Sequence, residues 1–295
     1  MKYVFNILIL AVVAFVLVKT FWTESRTVRQ PETQPAGEEK FSGAKSVKTC
    51  RKGFDIPQSV VLDETKSVVY VSNSGRGENP GYICKASLSG EVIDTLKTGT
   101  LENPKGLALR DGFLYAASGK NLVQYSLDGD SVVKKTEIKD AGVLNDVVIL
   151  PQGTVYVSDS AKNCIFRLGG ADGAEVFFKD TLGITAMCSA GGILTAASGK
   201  ILRKISPEGR TEMRQRLKFT PAGICPDGKG AFIMPAKEGG IFAVSDSLTE
   251  TLLKTKSGIS GKMEYVGCYG LLFAPSAKNN ALEIYEIGQY FQSRE

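Results

Sequence analysis

The residues best suited by type to chemistry are few. Asn145 and Asp146 stand together in LNDVV, Gln58 in IPQSV, Lys105 in NPKGL and Lys262 in SGKME. Carboxylates and amides can hold a hard cation through oxygen, whereas ammonium groups repel a metal and attract an anion. The chain contains no histidine. That excludes Ser-His-Asp and Cys-His nucleophilic catalysis, a histidine general base and histidine-ligated zinc. Any chemistry must come from carboxylates, Lys, Tyr, Cys or an oxygen-bound cation.

Each of these residues lies near the start of a recurring phrase. IPQSVVLD, NPKGLALR, LNDVVILP, GITAMCSA, PAGICPDG and GKMEYVGC each open an apolar run. A turn, a second apolar run ending in small residues, a second turn and a third run follow. More polar runs such as SVVKKTEIK and RTEMRQRL supply a fourth. The phrases begin near Pro57, Pro104, Leu144, Gly183, Pro221 and Gly261, a period of roughly 40–47 residues that marks a β-propeller. Inner strands covered on both faces should read as continuous apolar runs, as VVIL, TVYV and AFIM do. The expected fold is all-β, a six-bladed propeller of four-stranded blades over residues 45–290. The last repeat has only three strands. AKSVKTCRK, from Ala44 to Lys52, is expected to complete it by pairing with LEIYEI, which removes two sheet edges. That strand should begin on the face opposite the channel mouth.

Ahead of the repeats, Tyr3 to Val18 is apolar apart from Asn6, with Lys2 and Lys19 at its ends. Extended to Trp22, it is long enough to span a bilayer. Residues 1–22 are expected to form a transmembrane helix, an uncleaved signal anchor, because no small-x-small cleavage site follows. Residues 23–44 are polar and rich in Pro, Gly and Glu, the composition of a disordered linker. The positive-inside rule does not decide orientation. The likeness to a signal anchor favours a propeller held outside the cytoplasm, periplasmic or lumenal. A net charge of +5 is mild, and no nucleic-acid partner is expected. The six cysteines form no C-x-x-C. Most lie in apolar runs, so buried thiols are favoured over disulfides.

The phrases IPQSVVLD, NPKGLAL, LNDVVILPQGTVYVSDS and CIFRL resemble the regucalcin and gluconolactonase group of six-bladed propellers, and NHL-type repeats, over about residues 45–288. The resemblance implies one divalent cation, commonly calcium, in the central channel, held by a Glu and by Asn or Asp at inner-strand starts. For some members it implies hydrolysis of sugar lactones or related esters. The carry-over is thin. Gln58 stands where the group has its Glu, and Asn145 matches its Asn. The fourth-blade position falls in LGITAM and the fifth near Ala222, neither with a ligand. Asn145 is thus the one metal-ligand position retained. Asp146, the next residue along, is expected to point elsewhere.

The second residue of each inner strand reads Gln58, Lys105, Asn145, Gly183 or Ile184, Ala222 and Lys262. The turn between second and third strands, on the same face, carries Arg76, Lys120, Lys162, Lys200, Lys237 and Lys278, partly offset by Glu78, Asp159 and Glu238. Ordinary solvated turn chemistry is the first reading of the turn lysines. For Lys105 and Lys262, solvated turn and ligand group both stay open. The functional expectation is an anchored propeller that binds an anionic small molecule or protein at a basic channel mouth through Gln58, Lys105, Asn145 and Lys262, with no catalytic residue and no cofactor. The alternative is a calcium-dependent sugar lactone or ester hydrolase of the gluconolactonase type.

Overall fold

The computed structural model describes residues 44–287, apart from 171–172, 247–248, 255–257 and 260. The expected membrane helix, residues 1–22, and the expected linker, residues 23–44, lie outside the described residues except for Ala44, which instead opens a strand. Within them no helix is long and apolar enough to cross a membrane; the helical element present is a three-residue 3-10 turn, Gly267–Tyr269.

Among the described residues, twenty-four strands form six antiparallel sheets of four. Blades 1 to 5 take their strands in chain order, from the inner strands Pro57–Asp63, Pro104–Arg110, Leu144–Ile149, Ile184–Ala190 and Cys225–Pro226 outward. Blade 6 runs Glu264–Val266, Leu271–Ser276, Ala281–Ile287 and then Ala44–Cys50 as its outermost strand. The expected ring closure is therefore present. Ala44 pairs with Ile287, at the end of the blade remote from the turn that carries Lys278, so this strand enters from the face opposite the channel mouth.

Burial explains the apolar runs. The second strand of blade 1, Val68–Asn73, is buried along its whole length, whereas the outer strand Ser131–Glu137 is almost wholly exposed. Inner strands are covered on both sides because the core is divided into six layers, each between neighbouring blades. Val69, Val71 and Cys84 of blade 1 pack against Phe273, Leu282 and Ile284 of blade 6. Ile83 and Tyr70 pack on the other side against Leu107 and Leu114 of blade 2. Blade-to-blade packing of this kind fixes where each inner strand starts, and so where each channel residue lies.

All six cysteines are free thiols. Burial pushes Cys84 up to about 12 and Cys164 up to about 11, which leaves both protonated and unreactive at neutral pH.

One turn of the channel face is tied down by a single carboxylate. Asp159 is fully buried and accepts the amides of Gly142, Val143, Ala161 and Lys162 at 2.5–3.2 Å. An Asp159→Ala change strands these donors. It is expected to cost about 3 kcal/mol in urea unfolding, in line with losing hydrogen bonds to a charged group.

Candidate functional site

Register across the blades defines the site. Pro57 pairs with Asn73, Pro104 with Ser118, Leu144 with Asp159 and Ile184 with Ser198. The second positions are thus Gln58, Lys105, Asn145 and Thr185, and the third are Ser59, Gly106, Asp146 and Ala186. In blade 5, Pro221 bridges Ala236, which puts Ala222 second and Gly223 third. In blade 6, Ile259 bridges Ser276 while Glu264 pairs with Phe273. One more residue therefore lies between Ile259 and Met263 than between Pro221 and Ile224. Lys262 is displaced into the third position, beside Ser59, with which it forms a parallel bridge. This corrects the sequence-based placement: Lys262 is not level with Lys105 and Asn145 but one residue deeper.

The third positions are where inner strands crowd together. A Cβ at Gly106 would lie 2.4 Å from the Asp146 backbone, and one at Gly223 would lie 2.0 Å from the Gly261 carbonyl oxygen. Gly261 itself has φ +71° and would meet the Gln58 oxygen at 1.8 Å, so the insertion needs glycine on both counts. Around this ring, only Asp146 and Lys262 carry large polar groups.

Those two groups meet. Lys262 Nζ donates to the carbonyls of Leu107 at 3.2 Å and Val147 at 3.1 Å, and lies 3.8 Å from Asp146 Oδ1. Asp146 also accepts the amides of Val147 and of Met187 in the next blade, both at 2.8 Å. The side chains of Lys262 and Asp146 are 15% and 6% exposed, so the pair sits inside the channel. Burial pushes the Asp146 carboxyl above its ordinary value, and the Lys262 charge and the two amides partly offset this. Asp146 reaches these partners because the inner strands bulge at their starts: pairing shifts between Leu144 and Val147, as between Pro104 and Leu107. An inserted residue breaks the alternation that would turn Asp146 away.

Above the pair lies a cavity of about 620 Å³ at the channel mouth. Gln58, Lys105, Asn145 and Lys262, the four expected site residues, all line it, as do Thr185, Lys237 and Lys278. Asn145 Nδ2 donates to the Thr185 carbonyl at 3.0 Å. Among the described residues, Lys105 Nζ has neither ion pair nor hydrogen bond. Burial and the neighbouring Lys237 charge lower its pKa, with Asp159 opposing. Of the turn lysines, Lys237 and Lys278 reach the cavity. Lys200 lies 3.9 Å from Glu238, and Arg76 lies 3.9 Å from Asp55. Asp146 is the one carboxylate on the described lining, and Lys262 already neutralises it.

Comparison with solved structures places this fold. One similar structure, named a "putative gluconolactonase", superposes with a TM-score of 0.63 at 18% identity, over 83% of this chain and 92% of the other. The chain has a gluconolactonase-like propeller fold. A protein of unknown function from Bacteroides thetaiotaomicron superposes with a TM-score of 0.62 at 14% identity, over 82% of this chain and 72% of that one. A catalytically inactive virginiamycin B lyase from Staphylococcus aureus, solved with quinupristin, gives 0.60 at 11%, over 82% and 98%. No protein-family model and no curated protein matches the chain.

In this six-bladed propeller the channel oxygens do not fit a divalent cation. The carbonyls of Leu107 and Val147 and the Asp146 carboxylate converge on an ammonium group of the chain itself. A calcium ion beside Asn145 would face that charge with amides rather than carboxylates as ligands. Among the described residues no three His, Cys, Asp or Glu side chains cluster to hold a metal.

A second cavity, of about 600 Å³, opens at the other end of the inner strands, and Lys262 borders both. Glu264 and Glu64 line the lower one. Sequence reasoning missed Glu264, although MEYV places a lone acid where the other inner strands have Val61, Ala108, Val148, Cys188 and Cys225. Burial pushes its carboxyl up to about 7, with Glu64 adding to the shift and Lys262 and the Leu62 amide opposing it. Thr185 was also missed, because the start of blade 4 was read one residue early.

Proposed function

We propose that the protein is a binding propeller that takes a small anionic molecule in the upper cavity, with Lys105, Lys237 and Lys278 supplying the attraction and Gln58, Asn145 and Thr185 supplying polar contacts. The observation that carries this reading is the charge balance of that cavity. Three lysines line it, and its one carboxylate among the described residues is already paired with a fourth. Low-dielectric walls make such a surplus more effective than the same charges on an open face. The apolar segment Tyr3 to Val18 supports a further part of the proposal, that the propeller is anchored to a membrane and works outside the cytoplasm.

Oxalate and inorganic phosphate serve as probes. Calorimetry is expected to show binding that weakens as salt is raised. The Lys105→Ala, Lys237→Ala double variant is expected to bind at least about tenfold more weakly, since each lost charge-assisted contact is worth about 1.5–3 kcal/mol. Lys134→Ala, on the exposed outer strand of blade 2, is the control. Binding that ignores salt, or that the double variant retains in full, would remove the proposal.

A further inference from the structure

We propose that Lys105 captures small anionic carbonyl compounds, with 2-oxo acids as the chemical class, as a reversible imine in the upper cavity. The inference rests on the reading of that cavity as an anion site and adds a covalent step to it.

Most lysines near a carboxylate are spent on it: Lys48 pairs with Glu91, Lys66 with Asp128, Lys97 with Asp130, Lys204 with Asp246 and Lys262 with Asp146. Lys105 is different. It lies on a cavity wall, and among the described residues its Nζ has no acceptor. The carboxylate that influences it most, Asp159, is committed to four backbone amides. Its backbone is held in place, because Ser72 Oγ donates to the Lys105 carbonyl at 2.5 Å.

Two circumstances turn a lysine from a cation into a nucleophile: removal from water and a second positive charge nearby. Lys105 has both, since burial and the Lys237 charge each lower its pKa. Lys237 and Lys278, on neighbouring turns of the same cavity, remain to hold the carboxylate of an incoming oxo acid. A carboxylate bound there holds the adjacent carbonyl carbon in the cavity that the Lys105 side chain lines, which is the usual gain from proximity.

The step balances without an oxidant or reductant. Unprotonated Nζ adds to the carbonyl carbon. The two amine hydrogens leave with the carbonyl oxygen as water, and a C=N bond replaces C=O. Water reverses the reaction and returns the oxo acid unchanged.

The test uses the full chain, glyoxylate as probe and cyanoborohydride to reduce any imine near neutral pH, with peptide mass mapping as readout. Lys105 is expected to be carboxymethylated first, several-fold faster than the exposed Lys120 and Lys162, and Lys105→Arg should abolish the fast phase. Calorimetry with oxalate, which cannot form an imine, is run beside it on the unmodified protein. If oxalate binds but Lys105 is labelled no faster than the surface lysines, the imine is overturned while the anion site stands. If oxalate does not bind and labelling is uniform, both fall.

Discussion

Replacing Lys262 by Met is expected to destabilise the propeller by about 3–5 kcal/mol at neutral pH, the cost of leaving a buried carboxylate without its counter-charge. Asp146 would keep the amides of Val147 and Met187 but lose the ammonium 3.8 Å away. The pH dependence distinguishes this from simple loss of packing. Burial already raises the folded-state pKa of Asp146 above that of the unfolded chain, and without Lys262 it must rise further. The folded variant then takes up a proton more readily than the unfolded chain. Its deficit is full above that raised pKa and shrinks as pH falls toward the ordinary carboxylate range. Urea unfolding at about pH 8 and about pH 5 should therefore give a larger loss at the higher pH. Adding Asp146→Asn should restore much of the stability and flatten the profile. A Lys262→Met protein no less stable than a surface Lys→Met control would refute the buried pair.

Glu264→Gln is expected to have the opposite sign. The carboxyl of Glu264 titrates at about 7 in the folded chain, against 4.5 as its ordinary value. The native state thus holds a proton that the unfolded chain has already released. Stability from this group is complete below the unfolded pKa and is lost as pH rises through about 7. The full difference is at most about 3 kcal/mol, reduced by whatever water reaches the group through the lower cavity. The Gln variant should remove this decline, gaining stability over the native chain at about pH 8 and little at about pH 4. A variant that tracks the native profile in parallel would show that Glu264 is not the titrating group. The two substitutions are coupled. Lys262 holds the Glu264 pKa down, so its loss should move the Glu264 midpoint upward.

The blades were legible in the sequence because burial on both faces writes itself as continuous apolar runs, and because a ring must be closed by one end of the chain. VVIL, TVYV and LEIYEI are where they were expected, and Ala44–Cys50 supplies the closing strand. The site was legible at the second positions, where Gln58, Lys105 and Asn145 follow directly from the repeat. It was misread where backbone geometry departs from the repeat. A bulge turns Asp146 inward, against simple alternation. One additional residue before Met263 carries Lys262 a level deeper, into hydrogen bonds with Leu107 and Val147 that no local pattern encodes. The bulge arises in the pairing of Leu144–Ile149 with its own hairpin partner, whereas the contacts of Lys262 reach strands far away in the chain. The signal that could have exposed the second was present: the doubled spacer Ser260-Gly261 ahead of Lys262, with Gly261 required by its left-handed backbone and its contact with Gln58.

We propose that the cation of this channel is Lys262 rather than a metal, and that its mouth takes anions. Thermal unfolding of the native chain across a calcium titration tests it most directly. The Tm is expected not to rise beyond the change given by magnesium at equal ionic strength. A saturable rise specific to calcium, and abolished by Asn145→Ala, would contradict it.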